Sequence, residues 1–550
     1  MTLPILGSHS LSGISRLWDS IKSKVSLSNK STKVGDVSCV KSMTSGGKAK
    51  GRFVLWQNKE EKKLQVAEKK SAIPEINVTV KNGNVSCSSK YTPLSITPQG
   101  TYYGSCFGSK KQLSNALEVK VISERQSGAQ TKEIIEELGF VRTSSTRGNE
   151  QATKDLIMYA LTLTYDLNEW DPYYPIESNL SNIQLMTPGK SSDHNIPLAQ
   201  MEALQELAKQ KQPIEIKYNE KTFKVKINPP LLFNFGVNAQ HFRLGRLACS
   251  KEIDEINQKS FALLFGDDPR NIGTGRFCKE GSVIGKFLND CKDKTKKQQI
   301  QALAEQIISI LKKYPDGMES DPYALPARVI LLSRLLGLEV SFNCKSGKDR
   351  TSVCMLVIES MIQYYNIYSE FPAPMDPGEE YKEIFRLHYL SGEAARVVNA
   401  NVEKEKLDIK EYRFFNPFQK LYGITLSEDY LVNALEYLKG NLPQGLEDKE
   451  VASWLEIAKK KPKDLTDEDR KAMQNASIKL EKLKKELKEN LEEKSEEQSM
   501  VIEGILVSLN RFSPESPKNS QPKGSSKPPQ FPMTPDMLAG VKLKHLEQSK

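Results

Sequence analysis

The chain has 550 residues, of which 38% are hydrophobic and 27% charged, which fits a folded protein of several domains and excludes a low-complexity or fibrous one. Lys and Arg number 79 against 69 Asp and Glu, and the net charge of +10 favours anionic partners such as phosphorylated ligands, acidic lipid or nucleic acid. No run reaches the ~18 apolar residues of a membrane-spanning helix, and the eight cysteines form no C-x-x-C pair, so we expect free thiols and no zinc site.

Residues 1–70 are rich in Ser and Lys and poor in apolar residues, which predicts a disordered basic arm. We expect no cleavable signal peptide, because no basic stretch precedes a continuous apolar core near the start of the sequence. Within the arm, residues 11–25 carry Leu11, Ile14 and Trp18 at helical spacing, with basic residues on other faces. This segment could lie as an amphipathic helix on an acidic membrane surface. An ordinary packed helix and an unstructured arm are the alternatives.

From residue 71 the pattern becomes that of a folded region. Alternating runs up to about residue 130 predict β-hairpins, with a turn at Asn82-Gly83. A helical period follows around "NEQATKDLIMYALTL". The segment 213–227 alternates on both sides of Asn219-Glu220, which predicts another hairpin, and "LLFNFGVNAQ" predicts a buried strand that runs into a turn.

Two helices and a strand–loop–helix unit come next. "TKKQQIQALAEQIISILKKY" and "LPARVILLSRLLG" have helical periods, and Gly337 supplies a helix stop. Residues 338–343 then read as a strand and those from about 350 as a helix, so we expect an α/β fold.

The chain changes character beyond residue 370. A long charged helix should begin at a Thr466 N-cap with Asp469 three residues on, with Leu480, Leu483, Leu487 and Leu491 on one face. It could be a coiled coil or a docked bundle helix. Residues 513–535 hold seven prolines among polar residues and predict a disordered tail. We therefore divide the chain into an arm (1–70), a catalytic domain (71–370), a mainly helical region (371–512) and a Pro/Ser-rich tail (513–550).

Residues 344–351 of the strand–loop–helix unit have the sequence "CKSGKDRT", and we call the first seven of them, residues 344–350, the C-x5-R loop. Cys344 ends the strand and Arg350 lies six positions later, at the start of the helix. The intervening backbone N–H groups can surround a phosphate, and the helix N-terminus adds partial positive charge. Gly347 permits the turn, and Arg350 can bind two phosphate oxygens with its planar fork. The same positive field would stabilise a nucleophilic thiolate at Cys344.

The other residues of this octet complete a predicted phosphate site. Ser346 and Asp349 lie in the curve of the loop, and the Thr351 hydroxyl could hydrogen-bond the cysteine sulfur. Lys345 and Lys348 supply two more cations than a singly phosphorylated substrate needs, which indicates a ligand with several phosphates. The alternative is a buried cysteine beside a surface turn, which the full octet makes less probable than the C-x5-R spacing alone would.

"NCKSGKDRT" at 343–351 resembles the active-site loop of the bacterial effector inositol phosphate phosphatases, typified by the Salmonella and Shigella enzymes, and of mammalian inositol polyphosphate 4-phosphatases. "LMTPG" at 185–189, "FNFGVN" at 233–238 and "ALLFGDD" at 262–268 resemble further blocks of the bacterial effectors. The resemblance covers about residues 140–365. It implies a cysteine-phosphatase-like core with β-hairpin insertions and a helical C-terminal region.

The resemblance implies hydrolysis of a phosphate monoester on an inositol ring, through a phosphocysteine on Cys344 and with no metal or cofactor. A carboxylic acid must protonate the departing ring oxygen. We take Asp267, next to Asp268 on a Gly/Pro-bounded turn, as the candidate general acid, although a plain helix-ending turn would look the same. Asp349 could instead donate the proton or brace the loop. Asn234 and Asn238 could bind the substrate or the loop, or form a turn.

Three functions remain open at this stage. The first is a phosphatase of polyphosphorylated phosphoinositides, secreted by a bacterium into the host cytoplasm and peripheral at host membranes. The second acts on soluble inositol polyphosphates, phytate included. The third is a non-catalytic phosphoinositide-binding scaffold, against which the intact Cys344 and Arg350 argue. We expect no nucleic-acid partner, and the ring position, the protein partners and the oligomeric state stay open.

Overall fold

The computed structural model describes residues 75–94, 113, 115–127, 131–186, 195–237, 251–273, 278–313, 321–374, 376–392, 394–397, 421–426, 429–461, 464–489, 493–509 and 512. The described residues belong to one compact unit, Lys63–Lys550. The predicted arm with its segment 11–25 and the predicted tail lie outside the described residues.

A seven-stranded mixed sheet forms the centre of the fold, in the order β1-β2-β3-β4-β10-β6-β9. Strands β1 to β4 pair antiparallel, whereas β4, β10, β6 and β9 run parallel to one another. The strands are β1 Ile76–Asn82, β2 Val85–Pro93, β3 Leu117–Ser127, β4 Thr131–Ser144, β6 Leu180–Gln184, β9 Leu231–Asn234 and β10 Glu339–Cys344.

A second sheet has three strands, in the order β5-β8-β7. They are β5 Ile176–Ser178, β7 Ile214–Tyr218 and β8 Lys221–Ile227. The predicted hairpin at Asn219-Glu220 is confirmed as the β7–β8 connection, and both of these residues have positive φ, as a tight two-residue hairpin turn requires. The predicted hairpin near Asn82-Gly83 is also confirmed, but its two turn residues are Gly83 and Asn84, one position later.

The described residues include helices α1 Glu150–Leu161, α2 Ile196–Ala208, α3 Lys251–Phe265, α4 Val283–Asp290, α5 Lys294–Lys313, α6 Ala324–Leu335, α7 Asp349–Tyr368, α8 Glu379–Leu390, α9 Tyr430–Gly440, α10 Asp448–Lys459, α11 Asp467–Glu489 and α12 Glu493–Leu509. Within this part of the chain, no helix is long and apolar enough to cross a membrane.

Helices cover both faces of the large sheet. Phe140, Phe233 and Phe342 pack in one core with α5, α6 and α7, whereas Val141 and Leu232, on the opposite face, pack with α1 and α2. β10 is buried at every position, so its polar residues Glu339, Ser341 and Asn343 need hydrogen-bond partners inside the protein, and each has one. The expected α/β fold with its strand–loop–helix unit is confirmed, and Gly337 ends α6 with φ of +80°.

The helices beyond residue 370 form a bundle that packs against α7 and the β1 edge of the sheet. The Thr466 cap of α11 is confirmed, because its hydroxyl accepts the Asp469 N–H at 3.1 Å while the Asp469 carboxylate accepts the Thr466 N–H. Leu480, Leu483 and Leu487 are buried as predicted, and Leu491 lies outside the described residues. This helix is a docked bundle helix, since it packs on α10 and α12.

Candidate active site

The C-x5-R loop lies at the carboxyl edge of the parallel strands. Cys344 is the last residue of β10, and its neighbours are Ser144 at the end of β4 and Gln184 at the end of β6, opposite Asn343. α7 begins at Asp349, so the loop crosses from the strand to the helix in four residues. Ligands of open parallel sheets bind at this edge, because the loops that leave the strands open there.

Gly347 fixes the course of the loop. Its φ is +69°, and a Cβ built on it would lie 2.6 Å from the backbone N of Ser144 and 2.6 Å from the carbonyl carbon of Thr143. The loop therefore needs glycine twice, for its backbone conformation and for its close approach to β4. This agrees with the turn role predicted for Gly347.

The remaining predicted residues follow along the same short segment. Arg350 is partly exposed, and its Nη1 donates to the Leu185 carbonyl at 2.8 Å, which fixes the guanidinium beside the end of β6. Lys348 lies 3.9 Å from the Asp349 carboxylate, and the Thr351 hydroxyl donates to the Lys348 carbonyl at 3.0 Å. The Cys344 thiol is buried at the base of the loop. Lys345 and Ser346 are half-buried.

Arg142 is a residue of this site that the sequence interpretation missed. It is 1% exposed on β4, and its Nη2 lies within hydrogen-bond distance of the Gly347 and Lys348 carbonyls, at 3.0 and 3.1 Å. The same nitrogen contacts the hydroxyls of Thr351 and Ser352, at 3.1 and 2.9 Å. An arginine inside the apolar strand pattern "GFVRTSS" was a signal, because a fully buried cation needs a dedicated set of acceptors.

A buried amide network holds the strand ends below the loop. Gln200 of α2 donates to Asn343 at 2.8 Å and to Asn182 at 3.0 Å. Its carbonyl oxygen accepts the Ser145 hydroxyl at 2.7 Å and the Thr146 N–H at 2.9 Å. These bonds tie the residue before Cys344 to both neighbouring strands, so the backbone at Cys344 is fixed.

The N-terminal end of α6 forms another wall of the site. α6 leads directly into β10 and runs back along it, so its first residues lie at the carboxyl edge of the sheet. Burial raises the pKa of Tyr323 well above its ordinary value, the Cys354 thiol adds to the effect, and Arg350 opposes it. Burial also raises the pKa of Asp321, whose carboxylate accepts the Tyr422 hydroxyl at 2.8 Å. Tyr422 thus ties residues beyond 420 to this wall.

The structure does not bring Asp267 to the C-x5-R loop. In α3, Asn257 exchanges hydrogen bonds with the backbone of Asn234, and Ser260 exchanges them with the backbone of Leu232. Later helix residues therefore contact earlier strand residues, so α3 runs antiparallel to β9. Asp267, after the end of α3, lies toward the amino ends of the parallel strands, at the edge opposite Cys344.

The immediate contacts of Asp267 and Asp268 are those of a structural turn. Asp267 pairs with Lys279, whose hydrogen bond holds the pKa of the Asp267 carboxyl below its ordinary value. Asp268 caps the short 3-10 helix Pro269–Asn271 and pairs with Arg270. The pairing with a cation lowers the pKa of both carboxyls and so favours the ionised form, whereas a general acid must hold a proton. Asn234 donates to the Met186 carbonyl at 3.0 Å, which is a structural contact, and Asn238 lies outside the described residues.

These observations define a class of site. A cysteine ends a buried parallel strand, a loop turned by glycine follows it, and an arginine lies in the first turn of the next helix, an arrangement that can bind an anion. Among the described residues, no group of three or more His, Cys, Asp and Glu side chains lies close enough together to hold a metal ion.

Comparisons with known proteins show which proteins this chain resembles. The family described as "Enterobacterial virulence protein IpgD" matches residues 177–387, which include the loop. The inositol phosphate phosphatase IpgD of Shigella flexneri is 36% identical over 124 residues, which are 22% of this chain and 21% of that protein. The inositol phosphate phosphatase SopB of Salmonella typhimurium is 33% identical over 161 residues, 28% of this chain and 27% of that protein.

The alignments thus span only about a fifth to a quarter of the curated relatives' length. They confirm the resemblance to the bacterial effector phosphatases that "CKSGKDRT" predicted. Among solved structures, the Legionella phosphoinositide phosphatase SidF is similar with a TM-score of 0.40 and 10% identity, over 64% of this chain and 75% of that one.

Proposed function

We propose that this protein is a cysteine-dependent phosphatase that hydrolyses phosphate monoesters of an inositol ring. The observation that carries the proposal is the C-x5-R loop, which holds Cys344 and Arg350 on either side of a positive-φ Gly347 at the carboxyl edge of the sheet. The relatives named inositol phosphate phosphatases support the substrate class. We place the catalytic domain in residues 71–370 and regard residues 371–512 as its helical extension.

The reaction proceeds in two displacements at phosphorus. The Cys344 thiolate attacks, an S–P bond forms, the P–O bond to the ring breaks, and the leaving oxygen takes a proton. Water then attacks the phosphocysteine and releases inorganic phosphate and the thiolate. Arg350 and the loop N–H groups stabilise the charge on the equatorial oxygens in both steps. The cationic side chains and the amides of the loop supply this charge, so the mechanism needs no metal.

We assign the proton donor to Asp349 rather than Asp267. Asp349 is the carboxylic acid within the C-x5-R loop, and it lies at the first residue of α7. An alcohol leaving group needs the proton, whereas p-nitrophenolate leaves without it. Asp349→Asn should therefore lose at least ~10²-fold in kcat on an inositol phosphate and much less on p-nitrophenyl phosphate. Asp267→Asn is the matched control and should leave both rates unchanged. Equal losses on both substrates would remove Asp349 from this role.

We infer that the substrate carries several phosphates, because Lys345 and Lys348 add two cations to the loop beyond Arg350. A polyphosphorylated phosphoinositide is our first choice of substrate. Soluble inositol polyphosphate, phytate included, is the second, since the relatives' names fit either source of the head group. The family's description as a virulence protein supports a bacterial effector that acts in the host cytoplasm, peripherally at membranes.

The test is phosphate release over a panel of phosphoinositides and soluble inositol phosphates. Cys344→Ser should abolish release, because a serine alkoxide is not accessible at neutral pH, and Arg350→Lys should lower kcat by at least ~10²-fold. Cys291→Ser, a change at a partly exposed cysteine away from the loop, is the control and should be fully active. Release by a folded Cys344→Ser protein would refute the mechanism. Tight phosphoinositide binding by the wild type without any release would instead establish the non-catalytic scaffold.

A further inference from the structure

We infer that Arg142 and Asn115 are the positioning residues that shape the phosphate cradle, by holding three consecutive loop carbonyls on the side away from the ligand. The inference rests on the proposed phosphatase function and deepens it, because it names residues outside the C-x5-R loop on which that loop depends. Neither residue lies near the loop in the sequence. Both reach it through the pairing of β3, β4 and β10.

The three carbonyls belong to Ser346, Gly347 and Lys348. Asn115 Nδ2 donates to the Ser346 carbonyl at 2.6 Å, and Arg142 Nη2 lies 3.0 and 3.1 Å from the Gly347 and Lys348 carbonyls. The Ser346 and Gly347 carbonyls thus have side-chain partners from outside the loop, and the Lys348 carbonyl is shared between Arg142 and the Ser352 N–H, which donates to it at 2.9 Å as the first hydrogen bond of α7. Both partners are buried, which makes their hydrogen bonds costly to break.

The direction of the carbonyls decides that of the N–H groups. In a trans peptide, C=O and the following N–H point to opposite sides, and the described residues contain no cis peptide bond. Once the 346, 347 and 348 carbonyls are held by Asn115 and Arg142, the N–H groups of residues 347, 348 and 349 point to the other side of the loop. A phosphate held by Arg350 above the Cys344 sulfur would lie there, and consecutive N–H groups of this kind bind anions.

Arg142 has a second effect, since it also fixes the loop to the helix that follows. Its contacts with the Thr351 and Ser352 hydroxyls join β4 to the first turn of α7. A cradle that is already formed before the ligand binds has no reorganisation to undergo in the transition state. We therefore expect these residues to affect the transition state, and transition-state-like oxyanions, more than the binding of a ground-state monoester.

The first readout needs no turnover. In a Cys344→Ser background, binding of tungstate is measured by calorimetry. Arg142→Met removes the donors and keeps an apolar stem, and it should weaken tungstate binding by at least ~10-fold. Asn115→Gly removes the side-chain amide at a position with φ of +54°, a backbone conformation that glycine adopts without strain. It should weaken tungstate binding by ~3–10-fold. Arg334→Met, at a partly buried arginine that donates to the Leu163 and Leu338 carbonyls at the other end of α6, and Asn219→Gly, at another positive-φ asparagine, are controls and should bind within ~2-fold of the parent.

The second readout is the split between kcat and KM in the active enzyme. Arg142→Met and Asn115→Gly should lower kcat on p-nitrophenyl phosphate by ~10²-fold and ~10-fold, with KM changed by less than ~3-fold. Arg142→Lys keeps the positive charge and one donor nitrogen, and should recover part of kcat.

Unaltered tungstate binding in either folded variant, or equal kcat losses in the controls, would overturn the inference. If Arg142→Met does not fold, the tungstate binding and kcat of Asn115→Gly test the inference. Absence of phosphate release by the wild type would refute the proposed function, and the tungstate measurements would still decide the cradle.

Discussion

Gly347 shows how a single residue sets the shape of the site. Alanine there would adopt a left-handed φ, which costs about 1–2 kcal/mol, and would also place its Cβ against the β4 backbone. We expect Gly347→Ala to lower kcat by at least ~10²-fold, because the displaced loop misaligns its donors. Gly83→Ala is the matched control, since Gly83 has φ of +60° and open space around its Cβ position. It should lower the melting temperature slightly and leave kcat unchanged. Equal effects of the two changes would mean that the contact with β4 is unimportant.

Lys345 and Lys348 are expected to select for a second phosphate. Each cation near such a group should contribute on the order of 1–2 kcal/mol, as partly desolvated charge-assisted hydrogen bonds do. The double change of both lysines to Met should reduce kcat/KM on a bisphosphorylated inositide by ~10²-fold and on p-nitrophenyl phosphate by less than ~10-fold. The same double change at Lys217 and Lys224, which are exposed on the small sheet, controls for lost charge. Equal fractional losses on both substrates would refute a polyphosphorylated substrate.

At the residue scale, local spacing was enough to predict the loop but not its supports. Cys344 and Arg350 lie in one octet, so the strand–loop–helix pattern located them together. Arg142 and Asn115 lie about 200 residues earlier in the chain and reach the loop only through strand pairing, which the sequence does not reveal. Asp267 was predicted to lie near the loop, and the fold places it elsewhere. It lies in a short acidic turn typical of a mobile loop, but the direction of α3 takes it to the other edge of the sheet.

At the element scale, the spacing of hydrophobic residues predicted the helices and strands that have one solvent-exposed face. The β7–β8 hairpin alternates, and α5 and α11 show a 3.6-residue period, so these were recognised. Strand β10 and helix α7 are buried on nearly every side and carry no such period. They were recognised from length, Gly337 and the loop between them. The order of the seven strands could not be predicted, because it depends on pairings between segments that lie far apart in the chain.

Helix α11 offers a test of how the C-terminal bundle is stabilised. Leu480 is fully buried against its neighbours, and Leu480→Ala should lower the free energy of unfolding by about 2–4 kcal/mol. Ile478, two residues earlier, is 71% exposed, and Ile478→Ala should change it by less than ~0.5 kcal/mol. Urea unfolding followed by circular dichroism compares the two. Similar midpoints for both variants would show that α11 does not pack through its leucine face.

At the scale of the whole molecule, buried carboxyls make stability depend on pH. Burial raises the pKa of Glu339 from 4.5 to about 7. Between pH 4.5 and 7 the folded chain therefore holds a proton that the unfolded chain has lost, so this contribution is complete below pH 4.5 and lost as the pH rises through 7. Glu339→Gln cannot titrate. The wild type should lose on the order of 1–3 kcal/mol of unfolding free energy relative to the variant over this range.

Unfolding by urea at pH 4.5 and at pH 7 measures this difference. His388, whose pKa burial lowers to about 3, has the opposite sign, since its contribution is lost as the pH falls below 6.5. His388 is present in both proteins, so its contribution cancels from the difference in unfolding free energy between the wild type and Glu339→Gln. If the unfolding free energies of the wild type and Glu339→Gln changed equally between pH 4.5 and pH 7, the raised pKa of Glu339 would be contradicted.

The charge of the whole chain is unevenly distributed, and this distribution helps to decide whether the substrate is a membrane lipid or a soluble inositol phosphate. Residues 1–74 hold 14 Lys and Arg against 5 Asp and Glu, whereas residues 75–512 hold 59 against 61. If the substrate is a membrane lipid, basic residues near an acidic surface should contribute about 1 kcal/mol each at low salt. We expect deletion of residues 1–74 to reduce turnover of phosphoinositide in phosphatidylcholine/phosphatidylserine vesicles by at least ~10-fold. Hydrolysis of a soluble inositol polyphosphate should not change.

Deletion of residues 513–550, which hold 6 Lys and Arg against 3 Asp and Glu, is the control and should leave both rates and the melting temperature unaltered. The vesicle rate of the full chain should also fall as salt rises from 0.05 to about 0.5 M, because screening shortens the reach of surface charge. Vesicle and soluble rates that are equal, insensitive to salt and indifferent to the loss of residues 1–74 would assign the enzyme to the soluble substrate, with its basic arm serving some purpose other than membrane contact.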